Sequence, residues 1–420
     1  MASQESRGRP ASNGVLPPIA IYIPTLAGGG AELSMLRLGR HLIDHGYDVD
    51  IVVNRAEGPH RAAVPEASTL VELPRMNKWR ARLTVLARHP GDRAVLWPAL
   101  VRSRRTVMGL RYIGGLTHYL QTRRPAVLIS TLYQANLIAL WARRLAQVTT
   151  PVIVTERNTL SQSRAAGMSR TAERGRWQHL PRLIATTYGR ADAIVSVSDG
   201  VADDLARLSQ LPRAAITTIY NPVVSEELTE KAAVPCAHAW FASDAPPVIL
   251  AVGRLEEQKD YPTLLRAFAD MAATTNARLV ILGEGSLRQS LEQLAARLGI
   301  ADRVDLPGWA VNPYCYMARA SVFVLSSRWE GLPAVLIEAL ACGCPVVATD
   351  CPSGPREILD GGIYGALVPV GDSDALGAAL SDALVQPADA TRQQQAAARF
   401  TAGRSVSAYC RLIERVRQGG

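Results

Sequence analysis

The sequence predicts an α/β fold in which two doubly wound domains face each other across a cleft. Short apolar runs, of the kind that form buried parallel strands, alternate with helix-like segments along most of the chain. The alternation begins at residues 19–24 and starts again at residues 247–254, which indicates two units. The 420 residues are enough for two hydrophobic cores of about 200 residues each.

The composition is that of an ordinary soluble protein, with 48% apolar and 20% charged residues. No stretch of 18 consecutive residues is entirely apolar, so a transmembrane helix is not expected. Residues 1–18 are polar, contain Ser, Gly and Pro, and lack the apolar core of a secretory signal. We expect them to form a disordered lead-in.

Six cysteines are spread along the chain without the paired spacing of a zinc site. The two nearest are separated by a single residue, in a predicted turn with no matching pair and no histidine cluster. Free thiols, a reducing cytoplasm and no bound metal are therefore the prediction. The six are Cys236, Cys315, Cys342, Cys344, Cys351 and Cys410.

The first domain opens with a strand at residues 19–24, three glycines at 28–30, a helix, and a second strand at 49–53. A glycine turn at a helix N-terminus lets backbone N–H groups approach a phosphate. A nicotinamide dinucleotide would be one such ligand, but its fingerprint needs a third glycine and an acidic residue. Leu33 and Asn54 occupy those two places, which argues against that cofactor.

Positive charge is concentrated in the first half of the chain. Residues 1–225 carry 29 Lys and Arg against 15 Asp and Glu, whereas residues 226–420 carry 17 against 22. Residues 75–125 form a basic segment with twelve Lys and Arg and one acidic residue, Asp92, on predicted helices interrupted by Pro90 and Pro98. The twelve are Arg75, Lys78, Arg80, Arg82, Arg88, Arg93, Arg102, Arg104, Arg105, Arg111, Arg123 and Arg124, interspersed with Trp79, Leu83, Leu86, Leu96, Trp97 and Leu100.

The basic segment has two interpretations that the sequence leaves open. It could be a set of solvated surface helices. It could equally contact an anionic bilayer, with aromatic and leucine side chains in the interface and arginines on lipid phosphates. Nucleic-acid binding is disfavoured, because no zinc finger and no aromatic RNP run accompanies the charge.

Further strands of the first domain are predicted at residues 126–130 and 151–155, and their ends should line the cleft. Glu156, Arg157 and Asn158 directly follow the second of these strands, so polar groups are expected there.

The predicted domain boundaries follow from where the alternation stops. The first domain covers residues 19–222, and residues 223–246, which lack periodicity, form the linker. The second domain covers residues 247–400. The last segment, residues 401–420, contains an amphipathic helix.

The first strand of the second domain ends at Gly253 and Arg254, and Lys259 begins the next helix. Two cations beside a glycine turn are what a departing diphosphate needs, although a solvated pair is the alternative. Later strands end in turns at residues 283–285 and 306–309. The first of these turns lacks the Gly-Lys pair of a Walker A loop.

Residues 326–349 are the most informative stretch, with the pattern strand end, loop, helix, turn and strand. Glu330 lies in the loop, and Glu338 lies in an otherwise apolar helix that Pro333 begins and Gly343 ends. Two solvated glutamates in an ordinary βαβ unit are one interpretation. A carboxylate on a half-buried helix face needs partners, however, and carboxylates bind vicinal hydroxyls. With a helix N-terminus between them, the pair suits a ligand with two hydroxyl-bearing ends joined by a diphosphate.

Residues 330–349 resemble the E-x7-E signature of retaining glycosyltransferases of family 4. Glu330 is followed by seven residues, then Glu338, and then Ala-Leu-Ala-Cys-Gly-Cys-Pro-Val-Val-Ala-Thr. Residues 350–359 and 365–372 strengthen the resemblance, which covers roughly residues 246–400. It implies the GT-B fold, in which two Rossmann-like domains enclose the active site: an N-terminal acceptor domain and a C-terminal nucleotide-sugar domain.

The resemblance also implies roles for single residues. Arg254 and Lys259 would bind the departing diphosphate, Glu330 the hydroxyls of the donor sugar, and Glu338 the ribose; Arg254, Lys259 and Glu330 would be catalytic. Residues 29–32, Gly-Gly-Ala-Glu, match a G-G-x-E loop that contacts the donor diphosphate and the acceptor. The other donor-binding residues implied are Gly29, Gly30, Gly253, Gly283, Gly331, Leu332 and Pro333, with Leu306 and Pro307 beside the base.

Many family members carry a histidine just after the strand equivalent to residues 126–130, and residues 130–136 contain none. We assign Glu156, Arg157 and Asn158 to the acceptor side in its place, together with Glu32. By the same resemblance, the C-terminal helix crosses back to the first domain.

The reaction implied is transfer of a sugar from a nucleoside diphosphate donor, a UDP-sugar, to a glycan hydroxyl with retention and without metal or cofactor. Residues 350–357, Asp-Cys-Pro-Ser-Gly-Pro-Arg-Glu, are similar to those of bacterial enzymes of lipid-linked glycan and polysaccharide assembly. An acceptor on a polyprenyl diphosphate carrier, at the cytoplasmic membrane face, is therefore expected. The alternatives are a nicotinamide-dependent oxidoreductase and a non-catalytic, membrane-associated scaffold that binds sugar nucleotides.

Overall fold

The computed structural model describes residues 17–27, 29–102, 107–169, 177–242, 245–385 and 389–419. Most of the expected lead-in, residues 1–16, lies outside these ranges. So do Gly28 of the glycine turn and Arg104 and Arg105 of the basic segment. The described residues form two lobes, each built on one parallel sheet, which confirms the predicted fold class.

The N-terminal lobe contains, in its described residues, the strands β1 Ile19–Ile23, β2 Val49–Val53, β3 Thr69–Glu72, β4 Val127–Thr131, β5 Val152–Glu156, β6 Ala193–Ser196 and β7 Ile216–Thr218. All pair in parallel in the order β3-β2-β1-β4-β5-β6-β7. The order reverses between β1 and β4, and a crevice for ligands opens at the carboxyl ends of strands at such a point.

Helices cover both faces of this sheet. They are α1 Gly30–Asp44, α2 Lys78–Arg88, α3 Arg93–Trp97, α4 Ile113–Arg123, α5 Tyr133–Ala146, α6 Leu160–Ser169, α7 Leu180–Tyr188 and α8 Asp199–Ser209. Two apolar clusters, one on each face, form the core of the lobe. As expected, Pro90 and Pro98 interrupt the helices of the basic segment, because Pro90 begins a short 3-10 turn and Pro98 a π-helical turn.

The segment predicted as the linker contains a helix, α9 Glu226–Ala233. Leu228 is its one buried residue, so α9 has no apolar stripe by which a helix is recognised in a sequence. A 3-10 turn at Ala239–Phe241 follows before the second lobe begins.

The C-terminal lobe contains β8 Val248–Val252, β9 Arg278–Leu282, β10 Val304–Gly308, β11 Val322–Leu325, β12 Val346–Thr349 and β13 Ala366–Val368. They pair in parallel in the order β10-β9-β8-β11-β12-β13, which reverses between β8 and β11. The helices are α10 Tyr261–Ala272, α11 Arg288–Arg297, α12 Tyr314–Met317, α13 Ala334–Ala341, α14 Pro355–Ile358, α15 Ser373–Val385 and α16 Ala390–Ala397. Short 3-10 turns include Glu257–Lys259 and Ala301–Arg303.

The last helix, α17 Ala402–Gln418, packs on the N-terminal lobe. Its apolar side chains recur every three or four residues and join the cluster that contains β1 and α1. They are Val406, Tyr409, Leu412, Ile413 and Val416. Over the part of the chain that the structure describes, none of the helices combines the length and apolar character needed to cross a bilayer.

Candidate active site

A buried ion pair lies at the switch point of the C-terminal sheet. Lys259, on the 3-10 turn after β8, donates from Nζ to Oε1 of Glu330 at 2.6 Å. Glu330 lies in the loop after β11, and Ser327 Oγ donates to the same carboxylate oxygen at 2.7 Å. The two charged residues are 71 positions apart and meet because β8 and β11 are neighbours in the sheet. A cation and a carboxylate therefore share the place where such sheets hold ligands.

Two glycines make room for this pair. A Cβ on Gly253 would lie 2.9 Å from both Cε of Lys259 and Oη of Tyr261. Gly283 has φ +140°, and a Cβ there would lie 2.0 Å from the carbonyl oxygen of Gly253. The end of β9 therefore requires glycine, whereas a side chain at the end of β8 would crowd Lys259 and Tyr261. Arg254 lies further out, with its side chain more than half exposed and paired with Glu256 at 3.1 Å.

Glu338 is buried on α13 and takes its partners from both lobes. Tyr314 Oη donates to its Oε1 at 3.3 Å, and Nη1 of Arg37, on α1, lies 3.6 Å from the same oxygen. Arg37 Nη2 also donates to Tyr314 Oη at 3.0 Å. Burial raises the pKa of the Glu338 carboxyl, and the Arg37 guanidinium acts against that rise.

The loop between the two glutamates lies against the N-terminal lobe. Thr159 Oγ1 donates to the Glu330 carbonyl at 3.1 Å, and Ser198 Oγ donates to the Gly331 carbonyl at 2.9 Å. Leu332 is buried, and Pro333 immediately precedes the first residue of α13. The described residues include no side chain that caps α13, so its first N–H groups are available to a ligand.

The glycine turn of the N-terminal lobe ends at Gly29, which precedes the first residue of α1. A Cβ on Gly29 would lie 2.1 Å from Oε2 of Glu32, so the Glu32 side chain folds back over the turn. His60 Nε2 donates to the Gly29 carbonyl at 3.1 Å. Within the described residues no side chain caps α1, so an anion could approach its first N–H groups once the Glu32 carboxylate swings away.

Glu156 is buried beneath the end of β5 rather than exposed in the cleft. It accepts hydrogen bonds from Asn136 Nδ2, at 2.9 Å, and from Tyr188 Oη. Asn136 is itself held by Ser130 Oγ at 2.7 Å. Burial raises the pKa of Glu156 to about 7. Its assignment to the acceptor side stays a prediction, and both of its partners, Asn136 and Tyr188, are buried with it.

Glu156→Gln is expected to make the free energy of unfolding less dependent on pH. The pKa of Glu156 in the folded protein, about 7, lies above the ordinary value of 4.5. The wild type therefore loses stability as the pH rises from 4.5 to 7. Glutamine imitates the protonated acid and avoids this loss, so at pH 8 the variant should be more stable by up to about 3 kcal/mol.

Urea unfolding at pH 5 and pH 8 measures this difference. Glu66→Gln, at an exposed glutamate, is the matched control and should follow the wild type at both pH values. A Glu156→Gln variant whose stability changes with pH as much as that of the wild type would contradict the expectation.

Arg157 and Asn158 differ in exposure. Arg157 is buried, where it donates to Asn221 Oδ1 and contacts Met35 Sδ, and burial lowers its pKa. Its carbonyl oxygen contacts the loop of the other lobe at Gly331. Asn158 is exposed. Of these two predicted acceptor-side residues, Asn158 is the one whose side chain is open to a ligand.

Leu306 and Pro307, predicted beside the base, lie on the edge strand β10. Its pairing with β9 is irregular between Asp305 and Gly308, so the backbone of the two residues departs from the ladder. Arg288 Nη1 already donates to the Leu306 carbonyl at 2.9 Å. A base at this edge would share that carbonyl with Arg288, since a carbonyl oxygen accepts two hydrogen bonds.

The six cysteines are free thiols. Among the residues that the structure describes, no three or more His, Cys, Asp or Glu side chains are grouped in a way that could hold a metal ion. Freedom from metal remains a prediction about the reaction.

Each of the two lobes matches a known protein family. Residues 28–227 match the family described as Glycosyltransferase Family 4, and residues 239–400 match the family described as Glycosyl transferases group 1. The chain belongs to glycosyltransferase family 4. The boundary between the two matches falls in residues 228–238, inside the predicted linker.

The relatives of this family 4 chain include two bacterial glycosyltransferases. It is 37% identical over 194 residues to N-acetylgalactosamine-N,N'-diacetylbacillosaminyl-diphospho-undecaprenol 4-alpha-N-acetylgalactosaminyltransferase of Campylobacter jejuni, covering 46% of this chain and 51% of that one. It is 31% identical over 205 residues to the lipopolysaccharide core biosynthesis glycosyltransferase LpsE of Rhizobium meliloti, covering 49% and 57%. The chain spans about half the length of the curated relatives it matches.

Solved structures similar to this family 4 chain confirm the GT-B fold. Anabaena Alr3699/HepE in complex with UDP superposes with a TM-score of 0.71 at 16% identity, over 95% of this chain and 100% of that one. Sucrose-phosphate synthase from Thermosynechococcus elongatus gives a TM-score of 0.74 at 19% identity, over 96% and 100%.

Proposed function

We propose that the protein is a retaining glycosyltransferase that transfers a sugar from a UDP-sugar to a hydroxyl of a glycan acceptor without a metal ion. The observation that carries the proposal is the buried Lys259–Glu330 pair at the switch point of the C-terminal sheet. Membership of family 4 supports the reaction class. UDP in the structures of the Anabaena protein supports the choice of base.

In this reaction Lys259 and Arg254 bind the diphosphate as it departs. An ammonium group has three N–H donors, and the Lys259 bond to Glu330 occupies one of them. The other two are available to phosphate oxygens, whose charge grows in the transition state. In the described structure Oε2 of Glu330 accepts no hydrogen bond, which leaves it for a hydroxyl of the donor sugar.

The remaining parts of the donor lie on either side of this pair. Glu338 accepts hydrogen bonds from the ribose hydroxyls, and the uracil lies against the edge of β10 at Leu306 and Pro307. The N-terminus of α1, with Gly29 and Glu32, approaches the phosphates and the acceptor hydroxyl.

The acceptor in this proposal is a glycan on a polyprenyl diphosphate carrier. The name of the Campylobacter jejuni relative specifies a diphospho-undecaprenol-linked glycan, which supports this choice. Such an acceptor is held in a bilayer, so the enzyme would act at the cytoplasmic face of the membrane.

The exposed surface of α2 and α3 suits that location. Trp79, Leu83 and Trp97 are 46%, 62% and 51% exposed, whereas Leu86, Leu96 and Leu100 belong to the core. Trp79 and Leu83 are four residues apart and therefore share one face of α2. Lys78, Arg80, Arg88 and Arg93 are exposed around them, so this surface can meet both acyl chains and lipid phosphates.

Trp79→Ser together with Trp97→Ser is expected to reduce binding to anionic vesicles by about tenfold, because both indoles leave the interface. Flotation with vesicles of phosphatidylglycerol and phosphatidylcholine measures the bound fraction. Trp309→Ser is the matched control, since Trp309 is 68% exposed on the other lobe and should not matter. Binding of the wild type should also weaken as salt is raised. A wild type that does not float with these vesicles would contradict the membrane contact.

The reaction itself is tested with a panel of UDP-, GDP- and ADP-sugars. Thermal shift reports binding, and release of the nucleoside diphosphate reports turnover. Stabilisation and turnover with a UDP-sugar support the proposal. Binding without turnover of any donor would favour the non-catalytic scaffold, and a nicotinamide-dependent absorbance change would favour the oxidoreductase.

A further inference from the structure

Arg37 in the N-terminal lobe is the charged partner of the carboxylate assigned above to the donor ribose. It lies 3.6 Å from Oε1 of Glu338 and donates to Tyr314 Oη at 3.0 Å, and Tyr314 Oη donates to the same Oε1. Arg37 and Tyr314 are 277 positions apart in the sequence. The three side chains therefore meet only because the two lobes pack together.

The two glutamates of the signature differ in where their partners come from. Glu330 is bound by Lys259 and Ser327, both of its own lobe. Glu338 takes its hydrogen bond from its own lobe, at Tyr314, but its positive charge from the other lobe, at Arg37. The orientation of Glu338 thus depends on the position of α1.

Both contacts of Glu338 fall on one oxygen. Across the described ranges of the chain, Oε2 of Glu338 receives no hydrogen bond. Arg37 and Tyr314 consequently hold the carboxylate without occupying the oxygen that a ribose hydroxyl would need. A side chain that competed with the ribose for Glu338 would be expected to bind both carboxylate oxygens.

Helix α1 also carries the loop assigned to the phosphates and acceptor. Gly30 precedes Arg37 by seven residues, which is close to two turns, so both lie on the same face of the helix at a separation of about 10 Å. One rigid helix therefore places the glycine turn and the Glu338 partner at the same time.

We propose that Arg37 is a positioning residue that, with Tyr314, aims Glu338 at the ribose of the nucleotide and so ties nucleotide binding in the C-terminal lobe to the placement of α1. This inference rests on the proposed function, because it needs a nucleotide at Glu338. It assigns no direct substrate contact to Arg37.

The charge of Arg37 makes the pH dependence of nucleotide binding a specific test of its positioning role. Burial raises the pKa of Glu338, and Arg37 is the largest influence against that rise. The other titratable groups near this site are Tyr314 and Cys342, both with raised pKa, and Glu227 of α9, which faces Arg37. Because the Tyr314 and Cys342 groups stay neutral near pH 7, removing Arg37 should raise the pKa of Glu338 further. Binding that needs the carboxylate would then be lost at a higher pH.

Isothermal titration with UDP, GDP and ADP from pH 5.5 to 8.5 tests this in the full chain. Arg37→Met should weaken binding of the preferred nucleotide by about tenfold at pH 7. The loss of affinity that accompanies a fall in pH should also begin at a higher pH than in the wild type. Arg37→Lys, which keeps a positive charge, should retain most of the wild-type affinity and most of the wild-type pH dependence. Tyr314→Phe, which keeps the charge, should weaken binding by a smaller factor of about three. Arg40→Met, at an exposed arginine on the same helix, is the matched control and should bind like the wild type.

The Glu338→Gln background distinguishes a loss of positioning by Arg37 from a general loss of folding. In that background Arg37→Met should cause little further loss, because the group it orients has already been neutralised. A pH-independent loss that persists in Glu338→Gln would overturn the inference, and so would unchanged or tighter binding in Arg37→Met. A wild type that binds none of the three nucleotides would overturn the proposed function and the inference with it.

Discussion

Lys259→Met is expected to lower kcat by about 10²–10³-fold while the KM for the donor changes little. Lys259 binds the leaving diphosphate, whose negative charge grows as the bond to the sugar breaks, so its contribution is larger in the transition state than in the bound donor. Its position supports this role, because Nζ is held at 2.6 Å from Glu330 and cannot move away from the site without breaking the pair. The rate of nucleoside diphosphate release from the donor that the wild type uses measures the effect.

The same substitution leaves the buried Glu330 carboxylate without its cation, which is expected to cost about 3–5 kcal/mol of unfolding free energy. The double variant Lys259→Met, Glu330→Gln removes both charges and should recover most of that stability without recovering turnover. Lys78→Met is the matched control, since Lys78 is exposed on α2 and lies outside the proposed donor site. Unchanged turnover in Lys259→Met would refute the catalytic role.

The fold was predictable because its strands are local apolar runs. Residues 126–130 and 151–155 were expected as strands and form β4 and β5 within one residue. One exception is β3, Thr69–Glu72, an edge strand whose residues are exposed or half-buried. An edge strand lacks the continuous apolar run of a central strand, and residues 69–72 contain only two apolar residues, Leu70 and Val71.

The positions of the two glutamates and Lys259 at one edge of the sheet were predictable for a different reason. Each lies just beyond a strand or on the helix after it, and the carboxyl ends of parallel strands share one edge of the sheet. Lys259 and Glu330 were expected in one cleft, and the structure places them in contact. Arg254 was expected beside them, and the structure places it further out, with Glu256.

The direction of side chains at the end of β5 could not be predicted. All five residues of β5 are buried, because the sheet is covered on both faces, so no alternation distinguishes the cleft side. Glu156 was expected to face the acceptor, whereas it is enclosed by Asn136 and Tyr188. Arg37 carries no local signal either, since its partners lie in the other lobe.

Gly331→Ala is expected to lower kcat/KM by about 10²-fold while the affinity for the nucleoside diphosphate falls much less. A Cβ at residue 331 would lie 1.9 Å from the Arg157 carbonyl oxygen, which belongs to the backbone of the other lobe and cannot rotate away. The lobes would have to separate at this loop, which would break the Thr159 bond to Glu330 and the Ser198 bond to Gly331. A displacement of about 1 Å between donor and acceptor groups is enough for a loss of this size.

A graded comparison distinguishes this effect from a general loss of stability. At Gly200 of the same interface, a Cβ would lie 2.8 Å from Oγ of Ser353, a side chain that can move, so Gly200→Ala should cost less activity than Gly331→Ala. Gly403→Ala is the control, because a Cβ there meets nothing within 4 Å. Gly331→Ala with wild-type kcat/KM would mean that turnover does not require the contact between this loop and Arg157.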